Sequence, residues 1–419
     1  MKKIVGLLAA AAVLATSVFA ADVSAAVKVG GSIFDMDATV KNKDGDEANS
    51  ISILKAETVS ATYDSPFATL STSTDNAGGT VKFVKNGSNV GWGEVQVWFK
   101  PIDTLKIQAG HQDFAMNKET IDWTEHHGQQ AFGTYGYSLG FAQDAISVNL
   151  ALGTTDGGYF YQDAIGAHGS DADGNAALIR DLYANFAYGA DFGTISAFFR
   201  YQGKTWSAKA CTPDTISFGA AYKNTIDALT FFVNVVGTSK SAWTDDEAKV
   251  IQAGAAADSK PEDFEAYTDK NGKFRSAFGF GVDAFVAYTA DALTVKGFVK
   301  YDTKDFGHLT LKDGELKEDI MADNNTIVEL LARVDYKLDN GIGLFAYFKN
   351  ANLLRKEVQG TDTDPTSVFV STIKAGANGS VGIASWEVAL QLGTGNVGAK
   401  DKKYNKVNVS MPCFVKVGF

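Results

Sequence analysis

The sequence has no long apolar run after its amino terminus, and this absence limits how the chain can meet a membrane. No stretch beyond the first 20 residues approaches the roughly 20 apolar residues that a membrane-spanning helix requires. The 419 residues include only 6 prolines, 5 histidines and 2 cysteines, and the mean hydropathy is −0.08. Acidic residues outnumber basic ones, giving a formal net charge of −11. An acidic chain is repelled by a phosphate backbone, so we expect no nucleic-acid partner.

Catalytic and cofactor-binding motifs are also missing. Residues 279–284 match the dinucleotide pattern G-x-G-x-x-A, but they lie within an alternating strand with no helix after them. Residues 171–175 resemble the start of a calcium loop, but Ala176 stands where the sharp turn requires glycine. Glu125, His126 and His127 lack the helical spacing of a zinc site. We therefore expect no enzyme activity, no cofactor and no metal; weak cation binding by the Asp-rich loops stays open.

What the sequence does contain is a long alternating strand at its end, residues 407–419. The apolar members of this alternation are Val407, Val409, Met411, Cys413, Val415, Val417 and Phe419. Thirteen residues can cross a bilayer as a tilted strand, and closing a barrel removes an edge that would otherwise template aggregation. Pro412 cannot donate a ladder hydrogen bond, which predicts a bulge at this position.

In this closing strand the chain resembles the outer-membrane β-barrel proteins of Gram-negative bacteria, porins above all. The resemblance implies that Val415, Val417 and the terminal Phe419 form a signal for the barrel-assembly machinery. It also implies that outer-membrane lipids surround the folded chain.

The amino terminus indicates export to that membrane. Lys2 and Lys3 precede an apolar segment over residues 4–15, and small residues end at Ala20. These features predict a signal peptide over residues 1–20, with cleavage as late as residue 26 as an alternative. The remainder, residues 21–419, is expected to form a single transmembrane barrel domain.

A repeat along the chain supports the barrel. Six segments end near an aromatic residue, pass through a tight turn and restart on an aliphatic residue; the turns contain Asp103, Asp144, Asp191, Asp227, Asp291 and Asp339. Weaker examples occur at residues 63–66 and 378–380. A short turn joins antiparallel strands, and an aromatic residue beside it suits the membrane interface. A soluble β-sandwich or solenoid also alternates, but neither explains this repeat.

Longer polar segments lie between the short turns. They are residues 41–49, 74–89, 111–134, 153–178, 202–214, 237–275, 302–325, 350–366 and 393–405. Eight turns and nine loops separate eighteen strands, with sixteen as the alternative because residues 67–89 are poorly patterned. The predicted fold is all-β, a transmembrane up-and-down antiparallel barrel with short periplasmic turns and long extracellular loops. Such a barrel places Cys211 and Cys413 on nearly opposite walls, so no disulfide is expected.

The strand faces predict a polar lumen. Arg333 and Asp335 alternate with Val334, and an Arg or Lys in hydrocarbon costs about 2 to 4 kcal/mol at the midplane, so the charged residues face inward. Several aromatic residues share the inward parity: Tyr183, Phe232, Phe285, Phe298, Phe345 and Tyr347. Two interpretations stay open for them: they guide sugars or apolar solutes along the wall, or they pack against loops folded inside.

The third long segment carries the candidate constriction. Asn117 is predicted to cap a short helix, which would place Glu119, Asp122 and Glu125 near one face. In porins the loop in this order folds into the lumen, and the resemblance implies that these three residues form the acidic side of a constriction. An acidic loop exposed outside is an equally strong alternative.

Pore-lining candidates on the wall have inward parity. They are Arg200, Asp283, Lys296, Lys300 and Arg333. The chain has five arginines and lacks the dense arginine row that general porins carry on one strand. Because acidic residues are in excess, we expect a weak preference for cations.

The longest loop is predicted to contain a short helix over residues 245–253, since residues 244–247 match a capping box and Gly254 provides a stop. A hydrophilic surface cap is favoured over a lid on the channel mouth.

The expected function is a porin that passes small hydrophilic solutes and ions by diffusion, because 16 to 18 strands leave an aqueous channel. Alternatives are a channel selective for sugars or apolar solutes, and a surface adhesin or antigen that uses the barrel as a platform. Porins often form homotrimers, and no feature of this sequence decides the oligomeric state.

Overall fold

The alternating segments form extended strands in the computed structural model. It describes residues 21–40, 50–56, 68–86, 89–122, 125–154, 181–203, 205–206, 211–212, 214–241, 277–303, 309–312, 315–318, 326–350, 371–399 and 402–418. No helix among these residues is long and apolar enough to cross a membrane. The expected signal peptide, the predicted helix over 245–253 and the Asp-rich segment 171–175 lie outside the described residues.

Twenty-three strands are described. The first eleven are β1 Ala21–Val40, β2 Ser50–Ala56, β3 Ala68–Ser73, β4 Ala77–Asn86, β5 Asn89–Ile102, β6 Leu105–Asp122, β7 Glu125–Gln143, β8 Ile146–Thr154, β9 Asp181–Ala190, β10 Gly193–Gln202 and β11 Thr205–Trp206. The next six are β12 Cys211–Thr212, β13 Thr215–Ile226, β14 Leu229–Lys240, β15 Ala277–Ala290, β16 Leu293–Thr303 and β17 Leu309–Lys312. The last six are β18 Glu315–Glu318, β19 Thr326–Lys337, β20 Gly343–Asn350, β21 Ser371–Val381, β22 Ala384–Ala399 and β23 Lys402–Gly418.

Nineteen of these strands pair antiparallel in one sheet, and their pairings form an unbroken cycle. From β3 onward each strand of the sheet pairs with the next one along the chain, as far as β23. Strand β1 joins the two ends, because it pairs with β23 and with β3. Since β2 and β3 pair with successive parts of β1, they act as one interrupted strand. The ring therefore has eighteen positions, which confirms the predicted barrel and strand number.

Tight turns connect the strands at one end of the barrel. Asp144, Asp227 and Asp291 have positive φ angles of 50°, 50° and 48°, and each begins a two-residue connection. Asp tolerates this left-handed conformation better than most residues, and a two-residue hairpin loop requires it. The Asp-containing repeat therefore marked these turns correctly.

The wall has two chemically distinct faces. Large apolar side chains are exposed on the outer face along every long stretch of wall, for example Val97, Leu150, Val235, Val299 and Leu390. Aromatic residues next to the turns are also exposed there, namely Phe99, Phe141, Tyr188, Tyr288 and Tyr336. The inner face buries polar and charged side chains together with the aromatic residues predicted to face inward. This arrangement suits a barrel with hydrocarbon outside and a polar interior.

Some predicted boundaries are wrong. Most of the expected loop at residues 74–89 is strand β4, and the first short turn lies at residues 74–76, where the amide of Thr74 donates to the carbonyl of Ala77. The turn expected at 63–66 lies outside the described residues. Residues 378–380 belong to β21, and the turn follows at Gly382. Most of the expected loop at 393–405 is paired strand of β22 and β23. In each case the polar or Gly-rich composition suggested a connection, but ladder pairing extended the strand.

Two of the long connections contain short strands of their own. Strands β11 and β12 lie within the connection from β10 to β13, and β17 and β18 lie within the connection from β16 to β19. They form a separate four-stranded sheet in which Cys211 pairs with Leu311. Backbone pairing thus joins two connections that are distant in sequence, at the end of the barrel opposite the tight turns.

Candidate functional site

The site begins where the β6–β7 hairpin leaves the barrel wall. Strand β6 stops pairing with β5 at Gly110, and strand β7 stops pairing with β8 at Tyr135, the residue before Gly136. Gly110 and Gly136 pair with each other. Gly110 has a φ of +106°, and a Cβ there would lie 2.1 Å from the carbonyl oxygen of Val95. A Cβ on Gly136 would lie 1.9 Å from the carbonyl oxygen of Leu152. Only glycine fits both positions, so the sequence itself allows the bend.

A buried glutamine holds the two strands together at this bend. Gln112 is 0% exposed, and its amide donates to the carbonyls of Gly110 and Gly136 at 3.2 and 3.3 Å. Its side-chain oxygen accepts hydrogen bonds from Ser138 at 2.7 Å and from Gln108 at 3.2 Å. The carbonyls of Gly110 and Gly136, where the strands leave the wall, therefore accept hydrogen bonds from a side chain. Buried backbone groups need such partners.

Beyond the bend, the hairpin crosses the lumen. Ile121 lies eleven positions after Gly110, and at a rise of about 3.3 Å per residue this distance spans roughly 36 Å. The hairpin comes close to β13, β14 and β19. Strand β19 lies nine positions from β6 around the eighteen-position ring, so it is on the opposite wall. The hairpin therefore reaches from one side of the barrel to the other.

Polar contacts fasten the hairpin to the far wall. The Asn117 amide donates to the side-chain oxygen of Asn234 at 3.1 Å, and the Asn234 amide donates back to the Asn117 carbonyl at 3.3 Å. The Asn234 amide also donates to a carboxylate oxygen of Asp283 at 2.7 Å. Asn234 is 0% exposed and Asp283 is 1% exposed, so these bonds are shielded from water. Glu119 forms an ion pair of 3.4 Å with Lys223 on β13.

Apolar contacts strengthen the same attachment. Ile121 of the hairpin is 2% exposed and belongs to a cluster with wall residues of β14, β15, β16, β19, β20 and β22. Those residues are Phe232, Phe285, Phe298, Leu331, Phe345, Tyr347 and Ala389. Full burial of one isoleucine side chain contributes about 1.5 to 3 kcal/mol. The inward aromatic residues therefore pack against an inserted segment, which is one of the two interpretations left open above.

A second apolar contact lies nearer the bend. Phe114 of the hairpin stacks on Tyr183 with ring centroids 5.1 Å apart, and Tyr183 stacks on Phe198 at 6.0 Å. Met116 is buried in the same group. The hairpin is thus attached along its length rather than only near its tip.

The predicted acidic residues lie on this hairpin, but not on a helix. Residues 105–122 form strand β6, and Asp122 pairs with Glu125 to close the hairpin. The predicted helix capped by Asn117 is wrong because cross-strand pairing with β7 competes with local helix signals, and the Asn117 side chain bonds to the wall instead. The Glu119 side chain meets Lys223; the side chains of Asp122, Glu125, His126 and His127 lie outside the described residues.

The predicted basic residues do not converge on one point opposite the hairpin. Arg200 makes two hydrogen bonds with Asp181 on the neighbouring strand, at 2.9 and 2.7 Å. Arg333 pairs with Asp335 at 2.8 Å and lies 4.3 Å from the centre of the Phe345 ring. Both guanidinium groups therefore have carboxylate partners on the wall.

The two predicted lysines lie on β16 with the inward residue Phe298 between them. Lys300 stands between Asp283 on β15 and Glu329 on β19 in the ladder register. Lys296 stands opposite Arg333, and Arg333 stands opposite Tyr347 on β20.

Sequence reasoning missed a third cation in this row. Lys374 on β21 stands opposite Tyr347, and its amino group lies 5.2 Å from the centre of the Tyr347 ring. Lys296, Arg333 and Lys374 thus occupy one level of the inner wall. Lys223 and Asn234 were missed as well. Strand parity could have found Asn234 and Lys374, since each lies between two outward apolar neighbours, whereas Lys223 is followed by the polar residue Asn224.

The closing strand pairs with β1 as a barrel seam requires. Val415 is exposed on the outer face, Val417 shares its parity, and Phe419 lies outside the described residues. The β1–β23 register shifts between Ser32 and Asp35, beside the rung that pairs Ser32 with Pro412. The predicted irregularity at Pro412 is therefore confirmed. Cys413 carries a free thiol.

The residues that the structure describes contain no group of three side chains suited to a metal.

Comparison with known proteins gives only distant similarities. No protein-family model and no curated protein matches the sequence. Among solved structures, OccK2 (OpdF) of Pseudomonas aeruginosa is 9% identical with a TM-score of 0.47, covering 95% of this chain and 98% of that chain. OccK11 (OpdR) of the same organism is 8% identical with a TM-score of 0.47, covering 96% of each chain. OmpT, an outer membrane protein of Vibrio cholerae in a trimer form, is 9% identical with a TM-score of 0.38, covering 95% and 99%. At these values, the case for function rests on the barrel and its hairpin.

Proposed function

We propose that the protein is a porin of the outer membrane that lets small hydrophilic solutes and ions diffuse through a water-filled lumen. The observation that carries the proposal is a ring of eighteen positions with a polar inner face, crossed by the β6–β7 hairpin. The proposal includes a cleaved signal peptide at residues 1–20 and insertion by the barrel-assembly machinery through the closing strand.

Dimensions support an open passage beside the hairpin. Eighteen strands about 4.8 Å apart and tilted by about 40° give a backbone circumference of roughly 110 Å and a diameter of roughly 35 Å. Wall side chains reduce this to an interior of roughly 25 Å, while a two-stranded hairpin is about 10 Å across. The hairpin therefore narrows the lumen without filling it, so the pore admits small solutes and excludes large ones.

Charge sets the ion preference that we propose. The hairpin carries Glu119, and the predicted acidic residues Asp122 and Glu125 close it. The principal wall arginines are partly neutralised by Asp181 and Asp335. With a chain charge of −11, the field in the passage favours cations weakly.

Planar bilayers test the proposal directly. Purified protein should give stepwise conductance increases. Under a salt gradient, the sign of the reversal potential should show that cations permeate more readily than anions. Glu119→Gln should reduce that preference, while the lipid-facing change Ile373→Ala should leave it unchanged. A sealed barrel without conductance would refute the channel and support the platform alternative, and a clear anion preference would refute the charge argument alone.

A second candidate is a channel selective for particular solutes. A row of cationic side chains on the inner wall favours this candidate. The row contains Lys296, Arg333 and Lys374, with Tyr347 between the last two. Such a row can bind a solute that carries an anionic group and an apolar part. Saturable uptake of an organic anion in liposomes, lost in Lys374→Gln, would distinguish this candidate from simple diffusion. Comparing heated and unheated gel samples would show whether the barrel is a monomer or a homotrimer.

A further inference from the structure

The far wall of the lumen contains a preformed attachment point for the hairpin. Asn234 is fully buried, and its amide is shared between Asp283 at 2.7 Å and the Asn117 carbonyl at 3.3 Å. A buried amide next to a buried carboxylate is costly unless both are satisfied. Asn117 completes this arrangement, because its side-chain amide donates a hydrogen bond of 3.1 Å to the side-chain oxygen of Asn234. The hairpin thus supplies hydrogen bonds that the wall requires.

An apolar cluster adjoins this polar group. Phe232 and Phe285, the inward neighbours of Asn234 and Asp283 on the same two strands, stack with ring centroids 5.1 Å apart. Ile121 covers the cluster that contains them. On β6, Asn117 therefore meets the polar pair Asn234 and Asp283, and Ile121 meets the apolar pair Phe232 and Phe285.

The remainder of the hairpin is free of ladder pairing with the wall. Past Gly110 and Gly136, the described pairings of β6 and β7 are almost wholly with each other. Backbone bonds thus fix the base, whereas side-chain contacts hold the rest of the hairpin along its length. The two glycines lie where these parts meet, and the barrel ladder on the wall side of them does not depend on the hairpin beyond them.

We propose that Asn234, Asp283 and the Phe232–Phe285 pair form a docking site that positions the hairpin through Asn117 and Ile121, and that this docking sets the width of the pore. These are positioning residues: they act on permeation through the hairpin. The inference rests on the proposed channel function and deepens it, because it names the contacts that control the open area. Release of the far end opens a wider pore in an intact barrel.

The first test releases the hairpin. In Asn117→Ala/Ile121→Ala, the docked state loses a hydrogen bond and the packing of an isoleucine, which shifts the docking equilibrium at least roughly 30-fold. A hairpin about 10 Å across takes up roughly half of an interior roughly 25 Å wide, so complete release would about double the conductance step. Because the Phe114–Tyr183 and Glu119–Lys223 contacts remain in this variant, its conductance step should increase by less than that. Liposomes should admit larger sugars. Ile121→Val keeps most of the contact and should conduct like the unchanged protein, as should the lipid-facing Ile373→Ala.

The second test holds the hairpin in place. Asn117→Cys and Asn234→Cys are combined in a Cys211→Ser/Cys413→Ser background. Each cysteine sulfur replaces the Cγ of an amide, and the polar atoms beyond these carbons are themselves 3.1 Å apart, longer than the S–S bond of about 2 Å. A short bifunctional methanethiosulfonate reagent therefore joins the thiols. The joined protein should keep the small conductance step, and reduction of the link should produce the larger step of the release variant.

The outcomes separate the two proposals. The docking inference would be overturned if the release variant, the linked protein and the unchanged protein had the same conductance and excluded the same sugars. The proposed channel function would not be affected by that result. Absence of conductance in every sample, with the barrel folded by its migration on an unheated gel, would refute the channel itself. If the release variant alone fails to fold, the linked and reduced states of the cysteine variant decide the question through their conductance difference.

Discussion

Leu390 and Gln391 are adjacent on β22 and face opposite sides of the wall. Leu390 is 56% exposed on the outer face, whereas Gln391 faces inward opposite Lys374 in the ladder. Strand β22 begins at Ala384, so Leu390 lies six residues along the strand. With a rise of about 3.3 Å per residue and a tilt of about 40°, it stands roughly 15 Å above the turns, near the middle of an apolar band about 25 Å tall.

Leu390→Arg should therefore lower the free energy of unfolding by about 2 to 4 kcal/mol, the cost of an arginine near the bilayer midplane. Gln391→Arg keeps its charge in water and meets only the like charge of Lys374, which costs up to about 1 kcal/mol. Reversible urea unfolding in phospholipid vesicles, followed by tryptophan fluorescence, measures both variants. If Gln391→Arg destabilises the protein as much as Leu390→Arg, the assignment of inner and outer faces is wrong.

Three further changes probe the turns, the wall and the bend. Asp291→Val should cost about 1 to 3 kcal/mol because the residue has a positive φ, whereas Asp291→Gly should cost little in urea unfolding; equal costs would contradict the turn conformation. Arg200→Leu removes the bidentate ion pair with Asp181, which is only 2% exposed, and should lower the free energy of unfolding by about 3 to 5 kcal/mol; adding Asp181→Leu should recover much of this, and no recovery would argue against the pair. Gly136→Ala places a Cβ against the Leu152 carbonyl and should change single-channel conductance by displacing the hairpin; a conductance equal to that of the unchanged protein would count against the bend at this residue.

The first strands show where alternation alone was insufficient. Residues 67–89 contain many small and polar residues, so their pattern separated strand from loop poorly. The structure places β3, a turn and β4 there, because their neighbours β1 and β5 provide hydrogen-bonding partners for the whole segment. Pairing with β1 depends on residues about 45 positions earlier in the chain, so the local sequence pattern cannot predict it.

The hairpin shows the same limit for the candidate site. Glu119 was identified from its acidic neighbours, but its partner Lys223 is 104 residues away in sequence, and Asn117 meets Asn234 at a separation of 117 residues. The sequence analysis did not single out Lys223 or Asn234, although the alternation of their strands is consistent with an inward position for both. Which of the inward residues meets the hairpin depends on the angle at which the hairpin leaves the wall, and Gly110 and Gly136 set that angle.

The sequence by itself determined which side chains face outward and where the Asp-containing turns fall, and it narrowed the number of strands to eighteen or sixteen. These properties follow from a two-residue period and from local turn chemistry, and both are written in neighbouring residues. Only the tertiary structure decided that the third long connection is a hairpin attached to the opposite wall and that Arg200 and Arg333 are paired with carboxylates. Those contacts join strands that are far apart in the chain, and the curvature of the whole barrel brings them together.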